Sequence, residues 1–432
     1  VGPAHNVALM NKSGDILYPT IHWSDLRSSA QCEWLERWHG DRIFKITYQR
    51  VHPSWTLSQL LWLKENEPRI WPDLRRILVT KDYVRYRFTG TYETDVYDAI
   101  GTQLYDIEKD CWSEALCSLL GFSTDWLPVV SPITAVSGEL LPDAAGNTGL
   151  KPGVPIAVGS GDSVVEAFGI GVVDPGQCIV KLGSAANVNI VTDRPLPSPF
   201  ALTYRHVMND RWFTITPTNS GASTMRWFRD TFCRGEESEA ERRGISAYDL
   251  IGELTADIPA GCEGLIFHPY LMGERSPYWD PHLRGDFIGI SAGHRVNHFA
   301  RAVLEGVAFS IRDCIEEIAK LAQPVSERWL LGGGAKSEIW IKILCDVLGM
   351  PLVKPKVDDA SFGAGLLAGV AVGTFPDTQA ALKVYDPVER ILHPEPKMHQ
   401  LYSEYFDIYR HVTHDLSAHN HRLVKLAGRT RS

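Results

Sequence analysis

The sequence predicts an α/β protein of two domains, and three observations carry that prediction. The chain has 432 residues, long for one hydrophobic core and suited to two. Glycine-bearing turns at residues 161–163, 183–185 and 332–334 sit at the ends of strand-like runs, and the first and third open into helical patterns. A stretch from 298 to 321 has the three- and four-residue apolar spacing of a long helix with one buried face.

In the first domain, expected over residues 1–172, Val7-Ala8-Leu9-Met10 and residues 154–158 read as short strands. Residues 57–65 read as a helix carrying Leu60, Leu61 and Trp62, and residues 81–88 as another that stops at Thr89-Gly90. Gly161-Asp162-Ser163 then opens a helical turn over 164–169. In the second domain, expected over 173–432, paired strands at 178–182 and 187–191 precede a proline-rich loop at 194–199. The charged run 234–243 reads as a solvated helix or loop. Phe299, Val303, Val307, Ile311, Ile315 and Ile318 form the apolar face of the long helix. A strand at 328–331, the triple glycine, and a helix capped by Ser337 and ended by Gly349 follow. Residues 359–373 form a small-residue helix suited to close packing, and the tail from Lys397 is helical with a basic end at 425–431. Asp95 and Asp98 read as surface or hinge residues. Glu274 and Arg275 read as an interdomain ion pair or as groups reaching a site.

Composition narrows the function. The apolar fraction of 44% and charged fraction of 22% are those of a globular protein. A net charge of −9 argues against a nucleic-acid or anionic-membrane partner, so an anionic ligand must be met by local amides, cations or a metal. Eight cysteines without a C-x-x-C pair fit reduced thiols in a cytoplasmic protein rather than a disulfide frame or zinc site. No apolar run reaches membrane-spanning length.

A carboxylate beside glycines at a strand-to-helix junction is placed to meet a substrate, although a helix-capping Asp would look the same. The glycine of Gly183-Ser184 lets backbone N–H groups approach phosphate oxygens, and an ordinary hairpin turn would also use these residues. Three glycines at Gly332-Gly333-Gly334-Ala335 permit a nucleotide to lie on bare backbone before the positive end of a helix. A Walker motif is excluded there, because Ala335 stands where that pattern requires glycine. Gly289-Ile290-Ser291-Ala292-Gly293 has the form of a hydrolase elbow, without a later Asp and His in hydrolase order. His411 and His414 share a helical face without the further ligands of a metal site. A backbone-held phosphate donor and an acid that accepts a proton together describe a kinase of a small hydroxylated molecule.

Several ordered motifs resemble the FGGY carbohydrate kinases. Ser54-Trp55-Thr56-Leu57-Ser58-Gln59-Leu60-Leu61-Trp62-Leu63-Lys64-Glu65-Asn66 is similar to the first signature of that family, with Gln59 where the pattern has Lys. Gly285-Asp286-Phe287-Ile288-Gly289-Ile290, followed by His298-Phe299 and Ala302-Val303-Leu304-Glu305, matches the second. The segment from Pro269 to Pro277 resembles xylulokinase-like members. Trp23-Ser24-Asp25-Leu26-Arg27, Thr94-Asp95 and Arg226-Trp227-Phe228-Arg229-Asp230 follow the family's order. The resemblance implies two RNase H-like domains of actin-like ATPase topology with an interdomain active-site cleft. It implies ATP and Mg²⁺, with Asp162 as catalytic base and a possible contributor to Mg²⁺ binding. Sugar contacts fall on His5, Asp25, Arg27 and Ser163. Nucleotide contacts fall on Gly183, Ser184, Gly332, Gly333, Gly334, Ala335 and Ser337. A ketopentose such as D-xylulose is the implied acceptor. Glycerol, ribulose, L-xylulose, a homodimer, and a non-catalytic sugar- or nucleotide-binding regulator of the same fold stay open. An actin-like chaperone or filament ATPase is disfavoured by the two signatures. Ala4 and Ser163 depart from the xylulokinase pattern. The family's Asp-x-Gly-Thr motif is absent, and the expectation is that a preceding segment supplies it.

Overall fold

The structure, a computed structural model, describes residues 1–321 and 324–429. Residues 430–432 therefore leave the end of the expected basic tail outside the described residues. The chain divides into two compact units. The first holds Val1–Val173, Asp193–Phe213 and Asp359–Pro387; the second holds Asp174–Thr192, Thr214–Asp358 and Val388–Ser432.

In the first unit the strand Val7–Met10 is the centre of a three-stranded sheet, antiparallel to Ile16–Tyr18 on one side and Arg76–Val79 on the other. All four of its residues are buried, as a continuous apolar run in a central strand requires. Leu9, Leu35, Leu60, Ile77, Leu104 and Leu116 belong to the core beneath it. The helix Thr56–Asn66 contributes Leu57, Leu60, Leu61 and Leu63. The helix Thr80–Thr89 ends at Gly90, whose φ of 78° is the left-handed cap that glycine adopts without strain.

The strand Pro155–Ala157 leads into the helix Asp162–Gly169, which lies against the helix Ala360–Ala371. Glycine makes this contact possible. A Cβ added to Gly363 would stand 2.1 Å from Val165 O, and one on Gly169 would stand 2.9 Å from Gly363 N. The small-residue helix expected from the sequence is thus the bed of the helix that carries Asp162.

The second unit is built on five strands of a seven-stranded mixed sheet, in the order Ala186–Thr192, Gln177–Leu182, Glu327–Leu331, Leu352–Pro355, Val388–Leu392. The middle three strands are parallel and the outer pairs antiparallel. The helix Val296–Leu321 buries Val303, Val307, Ile311, Ile315 and Ile318 against this sheet's side chains and the helix Glu338–Leu348. Ser337 caps Glu338–Leu348 by accepting from Trp340 N, and Gly349 closes it at φ 68°. The charged run 234–243 is the helix Arg234–Arg243, in which Ala240 is buried. The helix Pro396–Arg429 is anchored by Tyr402, Phe406 and Tyr409, and the Tyr409 hydroxyl lies 2.6 Å from that of Tyr270.

Two expectations are corrected. Asp95 and Asp98 are completely buried, because Lys81 supplies a buried cation between them. Glu274 and Arg275 both bind backbone within the second unit instead of forming an ion pair between units.

The glycine contact separates two neighbouring substitutions. Gly363→Ala should lower stability by about 1–3 kcal/mol, because backbone carbonyl cannot move aside for the methyl. Gly365→Ala, with nothing within 4 Å of the added Cβ, should be neutral or stabilising by about 0.5–1 kcal/mol. Urea unfolding midpoints of the two variants check this.

Candidate active site

Asp162 is the first residue of its helix, and the turn before it is held on three sides. Its N–H donates to Gly2 O at 3.0 Å, within a parallel bridge between Gly2 and Gly161. Gly161 lies on the ring of Tyr97, where an added Cβ would be 2.3 Å from a ring carbon. Ser160 Oγ donates to Asp95 Oδ1 at 2.7 Å. The Asp162 side chain itself is exposed. Its Oδ1 accepts from Ser163 N at 2.7 Å and more weakly from Ser163 Oγ at 3.4 Å. Its Oδ2 accepts from no described residue. A carboxylate with one oxygen fixed at a helix N-terminus and the other open can receive a proton from a bound hydroxyl.

Below this turn is a buried ionic cluster. Lys81 Nζ reaches Asp82 Oδ1 at 2.5 Å, Asp95 Oδ2 at 2.7 Å and Asp98 Oδ2 at 2.9 Å. Arg85 donates to Asp82 Oδ1 at 2.8 Å and to Val158 O at 2.7 Å, just ahead of the turn. Burial works against charge on Lys81, but Asp95, Asp98 and Asp82 together outweigh it and raise its pKa. Burial also drives the Asp98 carboxyl well above the usual range, with Lys81 pulling it back. The oxygens of Asp82, Asp95 and Asp98 lie close enough together to hold a cation, and the Lys81 ammonium is the cation they hold. Asp95 Oδ1 also caps the helix Val96–Gly101 through Tyr97 N. That helix presents Tyr97 to the Asp162 turn.

An aromatic group adjoins the same turn. Tyr97 stacks on Tyr204 at 4.5 Å between ring centroids, and Trp55 meets His5 edge-on at 4.5 Å. His5 has a φ of 68° and donates Nδ1–H to Gly101 O at 2.8 Å. Its Nε2 then accepts from the Tyr204 hydroxyl at 3.2 Å. Burial lowers its pKa to about 4, with the Gly101 bond opposing, so the imidazole is neutral near pH 7. Trp55 Nε1 and Gln59 Oε1 are buried polar atoms for which no hydrogen-bond partner is found among the described residues. Asp25 and Arg27 bind one another, with Arg27 Nε 3.0 Å from both carboxylate oxygens. Hydrogen bonds from Arg27 hold the Asp25 carboxyl below its usual range. The Arg27 guanidinium lies over the Trp62 ring at 5.0 Å.

In the second unit the turn between Gln177–Leu182 and Ala186–Thr192 is pinned by its carbonyls. Ala222 N donates to Gly183 O at 2.8 Å and Ser223 N to Ser184 O at 3.0 Å. The N–H groups of Gly183, Ser184 and Ala185 donate to no described residue, and Ser184 is exposed. Carbonyls fixed behind and bare amides in front make an anion cradle. The three following glycines divide their work. Gly332 and Gly334 press on Leu182, at 2.8 Å and 2.5 Å from an added Cβ, while Gly333 meets nothing within 4 Å. Gly333, Gly334 and Ser337 line a cavity of about 750 Å³ whose other walls include Met225, Tyr248 and Ile339. That volume suits a nucleoside-sized ligand. Gly332 and Ala335 stand behind this wall. The Ser337 hydroxyl is occupied in capping Trp340 N at 3.4 Å.

The structure thus brings Asp162, Ser163 and His5 into one neighbourhood of the first unit, together with Trp55, Tyr97 and Tyr204, which sequence reasoning did not assign as site residues. Asp25 and Arg27 are engaged with each other. The Asp95-x-x-Asp98 spacing after Lys81-Asp82 was the available signal for the buried cluster. No comparable local signal marks Tyr204, which is 199 positions from its partner His5.

Comparison with known proteins identifies the family of both halves of the chain. The model of the N-terminal domain of the FGGY family of carbohydrate kinases matches residues 2–169, and that of the C-terminal domain matches residues 178–372. A xylulose kinase of Bacillus subtilis is 30% identical over 415 residues, 95% of this chain and 81% of the relative. A gluconokinase of the same organism is 28% identical over 373 residues, 85% of this chain and 73% of the relative. The crystal structure of a xylulose kinase from Brucella ovis is 28% identical with a TM-score of 0.87, covering 96% of this chain and 84% of that one.

The buried cluster predicts a large asymmetry. Lys81→Met leaves three buried carboxyls without their common cation and should cost about 3–5 kcal/mol. Equilibrium unfolding in urea at pH 7 measures it; a loss below about 1 kcal/mol would contradict the described network.

Proposed function

The chain belongs to the FGGY family of carbohydrate kinases, and on that premise we propose that it transfers the γ-phosphoryl group of ATP to a hydroxyl of a neutral ketopentose of the D-xylulose type. The observation that carries the choice of a neutral acceptor is that the side-chain cations named beside the Asp162 turn are already engaged. His5 is neutral, Lys81 and Arg85 are committed to buried carboxylates, and Arg27 is paired with Asp25. Trp55, Tyr97 and Tyr204 are buried behind this turn and back it with aromatic rather than charged side chains. An aldonate such as gluconate carries a carboxylate that calls for a cation, and no unpaired one is found among these groups. The 28%-identical gluconokinase makes gluconate the competing acceptor to exclude.

In this reading Asp162 is the general base. Its free oxygen receives the proton of the attacking hydroxyl, while Ser163 N–H fixes the other oxygen and so the direction of the carboxylate. His5 and Tyr204 share one hydrogen bond that a sugar hydroxyl can enter as donor to Nε2 or acceptor from the phenol. Asp25 and Arg27 form a paired polar rim.

The second unit would hold the donor. The bare amides of Gly183, Ser184 and Ala185 fit phosphate oxygens, and the cavity beside Gly333 and Gly334 fits the nucleoside. Mg²⁺, when bound with the nucleotide, would neutralise phosphate charge. Phosphoryl transfer leaves little covalent work to the protein beyond aligning the acceptor oxygen and taking its proton.

Asp162→Asn keeps the shape of the side chain and removes its basicity. With saturating D-xylulose and ATP·Mg²⁺, its kcat should fall about 10²- to 10⁴-fold with the KM for ATP little changed. Retention of most of the turnover would exclude Asp162 as the base.

A further inference from the structure

The segment after Tyr270 carries a buried acid that the reaction does not use. Glu274 is 2% exposed, and the cation whose charge acts on it, Arg275, sends its guanidinium to Thr218 O. Its bonds go to one place. Oε1 accepts from Asn219 N and, at 2.8 Å, from Arg275 N, and Oε2 accepts from Ser220 Oγ at 2.7 Å. Arg275 turns to the same target and donates Nη2–H to Thr218 O at 2.6 Å. Asn219 Nδ2 closes the ring on Gly273 O at 3.3 Å. Thr218, Asn219 and Ser220 are therefore gripped by side chains from 274 and 275 and tied back to the backbone at 273.

The gripped turn is in turn the seat of the 183–185 cradle. Ala186 N donates to Ser220 O at 2.7 Å, and Thr218 N donates to Ala186 O at 2.9 Å. Gly221 is so close that an added Cβ would be 2.7 Å from Gly183 O, Ser184 O and Ala186 N. The next two amides, Ala222 N and Ser223 N, hold the Gly183 and Ser184 carbonyls. The direction of the cradle's free N–H groups thus follows the position of the 218–221 turn.

We propose that Glu274 is a positioning residue for the phosphate donor, acting through Ser220 and Asn219 to aim the amides of Gly183, Ser184 and Ala185. The proposal rests on the reading that this turn takes phosphate. Burial pushes the Glu274 carboxyl up to about 7, and the bonds from Ser220, Asn219 and Arg275 resist that rise. Both protonation states preserve the grip. The ionised acid accepts from the Ser220 hydroxyl. The neutral acid donates to Ser220 Oγ, whose hydrogen turns to Pro269 O at 3.0 Å. Glutamine reproduces the neutral pattern, donating its amide to Ser220 Oγ and accepting from the two backbone N–H groups. The other groups that feel its charge, Cys314 on Val296–Leu321 and Tyr409 on Pro396–Arg429, are held well above their usual pKa by burial and stay neutral. Arg275 is the facing cation.

The test is steady-state kinetics of the protein, Glu274→Ala, Glu274→Gln and Ser220→Ala, varying ATP and the acceptor separately, with thermal unfolding alongside. We expect Glu274→Ala to raise the KM for ATP about tenfold or more with the acceptor KM unchanged. Ser220→Ala, which keeps the acid and loses one bond, should raise it about threefold and serves if the first variant does not fold. Glu274→Gln should stay within about threefold of the parent. Unchanged ATP KM in a folded Glu274→Ala or Ser220→Ala variant would overturn the proposal, as would equal losses for ATP and acceptor. A parent protein that transfers no phosphoryl group would instead overturn the kinase reading beneath it.

Discussion

The ammonium of Lys81 is the interaction on which the first unit's chemistry rests. Lys81 belongs to the helix Thr80–Thr89, Asp95 caps the helix Val96–Gly101, and Ser160 belongs to the turn before Asp162. One cation joins these pieces, and Arg85 extends the connection to Val158 O. Buried charges are expensive unless each is paired and hydrogen-bonded, so such a cluster tolerates little displacement of its members. Asp162 thereby stands on a rigid base while its own side chain remains exposed. The role proposed for Asp162, meeting a transient hydroxyl, would benefit from both properties.

The same economy of charge shapes the acceptor side. Lys81, Arg85 and Arg27 near the turn are engaged with carboxylates, and a neutral imidazole, two buried phenols and a buried indole pack beside them. In the second unit the turn proposed for the donor offers backbone amides, and the cavity beside Gly333 also carries the side chains of Arg226 and Lys336. Carbonyls of Gly183 and Ser184 are fixed by Ala222 and Ser223, and the amides left in front supply the partial positive charge that phosphate requires.

Much of the fold was legible because local rules decide it. The strand Val7–Met10 coincides with its apolar run, and the helix Glu338–Leu348 begins and ends where Ser337 and Gly349 place it. The close packing of Ala360–Ala371 followed from its small residues, although its partner Asp162–Gly169 did not. What local rules could not reach was long-range pairing of polar groups. Asp95 and Asp98 read as surface residues because acids are seldom buried, and their cation lies on a different helix. Tyr204 meets His5, and Glu274 meets Ser220, across separations that no sequence period spans. The acid at 162 and the glycines at 183 and 333 could be singled out as candidates for the opposite reason: strand ends and turns are where backbone and side chains are free to meet ligands.

The central claim is that the acceptor is a neutral sugar, and a competition measures it most directly. The protein is given ATP·Mg²⁺ with equal concentrations of D-xylulose, gluconate and glycerol, and the phosphorylated products are identified by mass spectrometry at low conversion. The account predicts that xylulose phosphate dominates and phosphogluconate is a minor product. Dominance of phosphogluconate would contradict it, because the site would then hold a carboxylate with no cation to receive it.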